Sequence, residues 1–407
     1  MRILVVDDSA MIRSMLGHSL KGWGYQPVAV DNIEKASQLI LTENIQFVLT
    51  DWIMPGGTGP TLCRRIRDMD LPYYVYIILI TSLEGSQSLV EGIDAGADDF
   101  IHKPIKLEEL HARIRAGERM LQLEHTLKER NDKLQEISRN LIAAQEIINR
   151  DLVLAGNMQR ALLPTSSSSL QGVSIDGLFC PSSHVSGDIF NFFRLDEHHI
   201  GFYVADVAGH GVAAAMLSFT LSRLLTPDMS RGSPLKLKLS DPPFYEIVMP
   251  SSSVVEELNV QFQTDATHNI LYFTMIYGVI DTRLHVIDIC QAGHPNPIYL
   301  PKEGSAQFIG EGGFPVGITT LAEYESFRLD YNSGDRLFLY SDGITECANA
   351  NNELFGTDRL LMLVSDTRHL PINEVLKKIE AEISIWRGSN EFEDDVSMLV
   401  LEMSSNS

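Results

Sequence analysis

Cysteine is scarce: Cys63, Cys180, Cys290 and Cys347 are four thiols far apart in 407 residues. Their spacing forms no zinc or redox pattern and is that of ordinary thiols in a reducing cytosol. Long apolar runs are also missing. The longest, Tyr73–Ile80, is far too short to span a bilayer. The opening MRILVVDDS turns acidic too early for a signal peptide. Basic residues are outnumbered, 32 against 54 acidic, for a formal charge of −22. Such a surface repels phosphate backbones and anionic lipid, so neither nucleic acid nor membrane is an expected partner. It does not exclude divalent cations, which take carboxylate ligands. What is present is 44% hydrophobic residues, enough for packed cores rather than global disorder.

Residues 1–118 alternate strand-like and helix-like patterns. RILVV, QPVAV, QFVLT, VYIILI and DDFIH are short apolar runs, each followed by a helical pattern. Ser9 caps the first helix, with Ile12, Met15, Leu16 and Leu20 on one face. Alternation of this kind implies a doubly wound parallel five-stranded α/β sheet, with working groups at the carboxyl ends of the strands. Those ends carry Asp7 and Asp8, Asp51, Thr81 and Lys103. Taken singly, each suits a cap or turn; as an ordered set they suit Mg²⁺ beside a phosphoryl acceptor. The segments VVDDS, DWIMPGGTG, LITS and HKP resemble the receiver domain of two-component response regulators. The resemblance implies that Asp51 accepts phosphate from a sensor histidine kinase or phosphotransfer protein. It makes Asp7, Asp8 and Asp51 Mg²⁺ ligands, and Thr81, Phe100 and Lys103 the switch residues. Phe100 is equally a candidate core residue.

From Leu107 to about Leu163 there is no proline. Met120, Leu127, Leu134, Leu141, Ile148 and Ala155 fall on one heptad position; Leu123, Arg130, Ile137, Ala144 and Asp151 fall on its partner. One seam is apolar and the other mixed. This predicts a helical coiled-coil linker over 119–164 that pairs two chains as a parallel homodimer, with a single long helix packed on its own chain as the alternative. Pro164 and TSSSSLQG then read as a stop and a polar linker.

Residues 165–407 read as many short strands with helices near 211–225, 251–263, 358–365 and 372–385, an α+β sandwich flanked by helices. Asp188, Asp206, Asp342 and the pair Asp394–Asp395 sit at strand ends with no basic neighbours in sequence. Carboxylates gathered without cations are costly unless metal joins them. The segments SGD, ADVAGHGVAAAML, TMIYGVID, QAGHPNP, GFPVGI, YSDGITE and EDDVSMLVLE resemble the metal-dependent serine/threonine protein phosphatases (PPM) of the SpoIIE-like branch. DLVLAGNMQRALLP is similar to the helix that precedes that domain.

The resemblance implies two Mg²⁺ or Mn²⁺ ions held by Asp188, Asp206, the Val207 carbonyl, Asp342 and Asp394. It implies a bacterial, cytoplasmic enzyme that hydrolyses phosphoserine or phosphothreonine on an anti-sigma-factor antagonist of the STAS type, under control of the phosphorylated receiver. The competing function is a non-catalytic adaptor that binds a sigma or anti-sigma factor. Such adaptors lose the metal carboxylates, and all four are kept here. His210 and His294 read as structural rather than acidic catalysts, and Gly310–Gly313 as a loop beside the site rather than a phosphate cradle. Ser186 and Asn191 depart from the family's usual glycine and acidic residue. Asn191 is therefore expected to loosen the surroundings of the metals, and the segment 226–253 is either a flap or a surface loop.

Overall fold

The computed structural model describes residues 1–83, 86–164, 168–228, 232–238, 246–264, 272–389 and 391–404. The chain divides into two compact units, Met1–Ala144 and Gln145–Ser407, each treated by itself below.

In the first unit, β1 (Arg2–Val6), α1 (Ala10–Gly22), β2 (Gln26–Val30), α2 (Ile33–Glu43) and β3 (Phe47–Asp51) follow in order. A small antiparallel ribbon comes next, β4 (Ile53–Met54) with β5 (Gly57–Thr58). Then come α3 (Gly59–Asp68), β6 (Tyr76–Thr81), α4 (Ser86–Asp94), β7 (Asp99–His102) and α5 (Leu107–Arg160). The five long strands form one sheet in the order β2-β1-β3-β6-β7, and every pairing is parallel. Strands covered on both faces must be apolar throughout. Leu4, Val6, Val48 and Ile77 point into one layer, while Ile3, Val5, Leu49 and Ile78 point into the other. Leu110 and Ile114 of α5 join the second layer. Ser9 caps α1, accepting from the Ile12 amide at 3.5 Å. Leu16 and Leu20 are buried as the periodicity requires, but Met15 lies largely outside.

The linker helix is one uninterrupted α5 through Arg160. In its middle the heptad residues are exposed, Leu134, Leu141 and Ile148 at 65%, 67% and 53%, whereas Ala155 near its end is half-buried beside Met216 and Phe219 of the same chain.

The second unit contains two antiparallel sheets. After β8 (Ser168–Leu170) and β9 (Val173–Cys180) come β10 (Ile189–Arg194), β11 (His199–Val207) and α6 (Val212–Leu224). The short strands β12 (Lys236–Lys238) and β13 (Glu246–Val248) pair with each other ahead of α7 (Ser251–Thr264). The chain continues through β14 (Phe273–Asp281), β15 (Val286–Ala292), β16 (Ile298–Leu300), β17 (Gln307–Phe308), β18 (Ser326–Asp330) and β19 (Arg336–Tyr340). It ends with α8 (Asp342–Thr345), α9 (Thr357–Asp366), α10 (Ile372–Arg387) and β20 (Val396–Met403). One sheet has the order β10-β11-β14-β15-β18, the other β17-β16-β19-β20-β9-β8. Phe202, Val204, Ile276, Leu337 and Leu399 fill the layer between the sheets. Tyr203, Tyr277 and Leu258 pack outward on the first sheet, and Phe338, Leu360 and Ile379 on the second. Alternation along each strand thus builds a sandwich with helices outside both sheets.

Two readings of the linker regions change. The expected polar linker TSSSSLQG contributes Ser168–Leu170 as an edge strand on β9, because Ser168–Leu170 can extend the β9 ladder. Within 226–253, the described part is partly a core element: Leu235 is buried in the outer layer of the first sheet, and residues 229–231 and 239–245 lie outside the described residues.

Candidate metal sites

In the first unit β1, β3, β6 and β7 end along one edge because they are parallel and in register. Asp7 follows β1, Asp51 closes β3, Thr81 closes β6, and Lys103 follows β7. Oxygens of Asp7, Asp8 and Asp51 lie within 4.8 Å of one another. Lys103 Nζ is 2.9 Å from Asp51 Oδ1 and 3.7 Å from Asp7 Oδ2. The Trp52 amide donates to Asp51 Oδ1 at 2.9 Å, and the Ser9 amide to Asp7 Oδ1 at 2.8 Å. Burial, and then the charge of Asp51, hold Asp7 above the usual carboxylate range, against the pull of the Ser9 amide and Lys103. Its Oδ2 is buried without a hydrogen-bond donor. Three hard oxygen donors, one of them unsatisfied, fit a divalent cation such as Mg²⁺. Thr81 is buried, with its hydroxyl accepting from the Leu83 amide at 3.0 Å. Phe100 is half-buried and edge-on to His102, and it borders the same cavity as Thr81, Trp52 and Leu79.

In the second unit the four sequence-selected carboxylates come from four chain segments. Asp188 precedes β10, Asp206 is the penultimate residue of β11, Asp342 opens α8, and Asp394 lies two residues before β20. Strand β11 thus does not end on Asp206 but runs on to Val207, whose pairing with Phe273 closes the ladder. The four share an electrostatic field. Burial, then Asp206, drive Asp188 well above the usual carboxylate range, although the hydroxyls of Ser341 and Ser397 favour its charged form. Asp206 is pushed up to about 7 by burial first and then by Asp342, with Asp394 and Asp395 adding to it. Asp342 is raised by burial, then by Glu346 and Asp394.

Both oxygens of Asp188 are buried without a partner of good hydrogen-bond geometry. Among the described residues no lysine, arginine or histidine forms an ion pair with any of the four. Nor do three of their oxygens converge within 4.8 Å as the first unit's trio does. An all-oxygen, uncompensated donor set that runs from buried Asp188 through half-buried Asp206 and Asp342 to exposed Asp394 fits hard divalent cations reached from solvent, and Mg²⁺ or Mn²⁺ would relieve its charge. The Val207 carbonyl lies beside Gly187: a Cβ there would sit 2.9 Å from that oxygen, so the backbone can approach only at glycine.

Three contributors were not singled out by sequence. Asp395 is buried and holds the loop before Asp188: its Oδ1 accepts from the Ser182 amide at 2.7 Å and its Oδ2 from the Gly187 amide at 2.8 Å. It is a carboxylate that positions, whereas, among the described residues, Asp394 beside it accepts only from the Asp395 amide, at 2.8 Å. Glu346 bears on Asp342 although it is exposed. Gln159, near the end of α5, is buried; its Nε2 donates to the Ser186 carbonyl at 2.7 Å and its Oε1 accepts from the Ser186 amide at 3.0 Å. Gly156, one turn earlier, has the His184 carbonyl where a side chain would begin, 1.9 Å from an ideal Cβ. The end of α5 is therefore keyed to the loop that delivers Asp188. A glutamine beside DLVLAG carries no sequence signal of that pairing.

The two departures resolve differently. The Ser186 hydroxyl accepts from the Asp188 amide at 3.0 Å, so serine adds a tie that glycine lacks. Asn191 does not border the carboxylates: it pairs with Tyr203 on the outward face of the sheet, opposite the face of Asp206. His210 is exposed on the turn after β11, and His294 is buried. The loop Gly310–Gly313 has no helix after it and is pinned by Gln291, whose Oε1 accepts from the Gly312 amide at 2.9 Å.

The model for Stage II sporulation protein E matches residues 196–404, about half of the chain, and the response regulator receiver model matches residues 3–115. The chain belongs to the Stage II sporulation protein E family and carries a response regulator receiver domain at its N-terminal side. It is 28% identical over 257 residues to phosphoserine phosphatase RsbP of Bacillus subtilis (strain 168), a match covering 62% of this chain and 58% of that protein. Over 114 residues it is 36% identical to the phosphate regulon transcriptional regulatory protein PhoB of Pseudomonas aeruginosa, covering 28% of this chain and 50% of that one. The chain thus spans a little over half, or half, the length of these curated relatives. The solved SiaA-PP2C domain of Pseudomonas aeruginosa superposes with a TM-score of 0.54 at 19% identity, over 64% of this chain and 99% of that one, a likeness of fold. Among the described residues no helix is long and apolar enough to cross a membrane.

Proposed function

We propose that this chain is a cytoplasmic, metal-dependent phosphoserine/phosphothreonine protein phosphatase governed by its receiver. Its organisation in this reading is a receiver over 1–118, a helical linker over 119–164 and a phosphatase domain over 165–407. The observation that carries it is the second unit's carboxylate cluster around buried Asp188, with no cation paired to it among the described residues, in a chain that also holds a receiver-type acceptor site.

Two Mg²⁺ or Mn²⁺ ions, when bound, supply the charge that lowers the pKa of water and neutralises phosphoryl oxygens. Asp188, Asp206 and the Val207 carbonyl would hold both, and Asp342 and Asp394 would complete the shell on one side. Asp395 and Gln159 fix the loop that aims Asp188. No side chain need act as nucleophile. In the receiver, Asp7, Asp8 and Asp51 would hold one Mg²⁺, Asp51 would take the phosphoryl group from a kinase or phosphotransfer protein, and Lys103 would pair with that group. Thr81 and Phe100, bordering one cavity, report the change.

The substrate in this reading is the phosphorylated anti-sigma-factor antagonist of a partner-switching system. The relay is a parallel homodimer of α5. Exposed Leu134, Leu141 and Ile148 support it, since burying a leucine or isoleucine is worth roughly 1.5–3 kcal/mol. Leu141→Asp is expected to uncouple phosphatase rate from receiver phosphorylation; full coupling in a folded variant would refute the helix relay.

The test of the activity is Mn²⁺-dependent phosphate release from a phosphoserine-bearing antagonist protein. Asp206→Asn should lower turnover at least about a hundredfold while leaving the protein folded, since it removes a charged ligand rather than an outer partner. Equal turnover at saturating Mn²⁺ would refute the assignment, and no release by the wild type would favour the adaptor reading.

A further inference from the structure

His294 is buried, 2% exposed, in the turn after β15. Its position is set by its neighbours. Gly293 holds a positive φ of 69°, and Pro315 leaves no room for a side chain there. The His294 carbonyl accepts from Gln291 Nε2 at 2.6 Å. On one side its Nδ1 is 2.8 Å from the Thr274 hydroxyl. Thr274 is the register partner of Asp206 across β11 and β14. Directly paired residues share a face of the sheet. Val204 and Ile276, each two positions along, lie in the layer between the sheets, so Asp206 and Thr274 face that layer as well. The other polar group acting on the ring is the Tyr340 carbonyl. Tyr340 closes β19 on the opposite sheet, two residues before Asp342.

We infer that His294 is a positioning residue that braces the strand end carrying Asp206 against the strand end carrying Asp342, and so sets the spacing of the metal-holding carboxylates. The inference rests on reading this cluster as metal-holding. Burial drives the imidazole down to about 3, so the brace is neutral near physiological pH. A neutral imidazole has one donor and one acceptor. With Nδ1 engaged by Thr274, Nε2 is the ring atom left for the Tyr340 carbonyl, so Nε2 carries the proton and Nδ1 accepts from the threonine hydroxyl. Nε2 is buried short of full hydrogen-bond geometry, so the brace has slack on the Asp342 side. A lysine could not serve here: its charge would pair with a carboxylate instead of spanning between backbone and hydroxyl.

The experiment measures Mn²⁺ binding by the electron paramagnetic resonance signal of free Mn²⁺, in full-length protein carrying Asp8→Asn and Asp51→Asn to silence the receiver. His294→Ala is expected to weaken Mn²⁺ binding by roughly 10- to 100-fold, the usual effect of losing an outer partner of a metal site. At saturating Mn²⁺ its turnover should fall less than its affinity does. His294→Asn, whose amide oxygen can take the Thr274 hydroxyl, should recover part of the loss. If His294→Ala does not fold, Thr274→Val removes the same tie with little change of shape and should weaken Mn²⁺ binding about tenfold. Wild-type Mn²⁺ affinity in folded His294→Ala, or in Thr274→Val, overturns the brace. A parent protein that binds no Mn²⁺ overturns the metal reading itself, and the brace with it.

Discussion

The two acidic clusters of this chain solve the same electrostatic problem differently. At the receiver, Asp7, Asp8 and Asp51 crowd within 4.8 Å, and Lys103 sits 2.9 Å from Asp51 to offset them. Among the described residues of the second unit no cation pairs with the carboxylates. The carboxylates are spread, Asp188 is raised by burial and then by Asp206, Asp206 by burial and then by Asp342, and both oxygens of Asp188 are buried without a partner of good hydrogen-bond geometry. A cluster with its own ammonium is compact before any ion arrives and can exchange one ion and one phosphoryl group cheaply. A cluster without one depends on ions to gather it. In the proposed reading that dependence makes the second site the natural point of control, since whatever shifts Asp188 relative to Asp206 would change how well ions are held. Gln159 and Asp395 grip the loop that does so.

The largest expected effect breaks the receiver side of the contrast. Asp51→Asn removes the proposed acceptor carboxylate, which Lys103 and the Trp52 amide hold, and labelling by acetyl phosphate in Mg²⁺ should vanish. Wild-type labelling would place the acceptor elsewhere.

The next tests the grip on the second site. Gln159→Ala deletes the donor to the Ser186 carbonyl and the acceptor for its amide, leaving buried backbone groups unpaired at about 1–3 kcal/mol each. Freed of that tie, the loop should hold Asp188 less well. The concentration of Mn²⁺ for half-maximal phosphatase activity should rise by about tenfold or more. An unchanged value would show that α5 does not bear on the site.

The smallest is a pH effect at the second site. In the metal-free fold Asp206 keeps its proton up to about pH 7, against an ordinary value of 3.8. Between those values the folded state binds the extra proton, so this contribution to stability is full at low pH and declines as pH rises toward about 7. Thermal melts in chelator should therefore show wild type losing ground to Asp206→Asn as pH rises from 5 to 7.5, by a few degrees. Added Mn²⁺ should stabilise wild type more at pH 7.5 than at pH 5. A wild-type melt that gains on the variant with rising pH would contradict the raised Asp206.

Much of this was legible because the chemistry sits where strands stop. VVDDS, DWIMPGGTG and YSDGITE each couple an apolar run to a carboxylate, and in the first unit a regular parallel sheet carries the ends of β1 and β3 to one edge. The helices flanking the sandwich were also readable, since their apolar periodicity survives packing: α7 and α10 begin at Ser251 and Ile372, as their patterns predict. What the sequence hid was long-range pairing. Asp395 looked interchangeable with Asp394, and only the fold shows that one is engaged by backbone amides while the other is half free. Gln159 reaches across 27 positions to Ser186. Asn191 looked close to Asp188 in sequence, but strand alternation turns it to the other face. The edge strands Ser168–Leu170 and Ser326–Asp330 were missed because their residues are polar or alternate weakly, and the ladder beside them makes them strands.

The most direct test of the central claim is the rate of phosphate release from a phosphoserine-bearing antagonist protein in saturating Mn²⁺, with and without beryllofluoride as a phosphoryl mimic at Asp51. Receiver control of the metal cluster predicts a change of roughly 5- to 150-fold in the wild type, and none in Asp51→Asn. An active enzyme whose rate is the same with and without beryllofluoride would contradict the account.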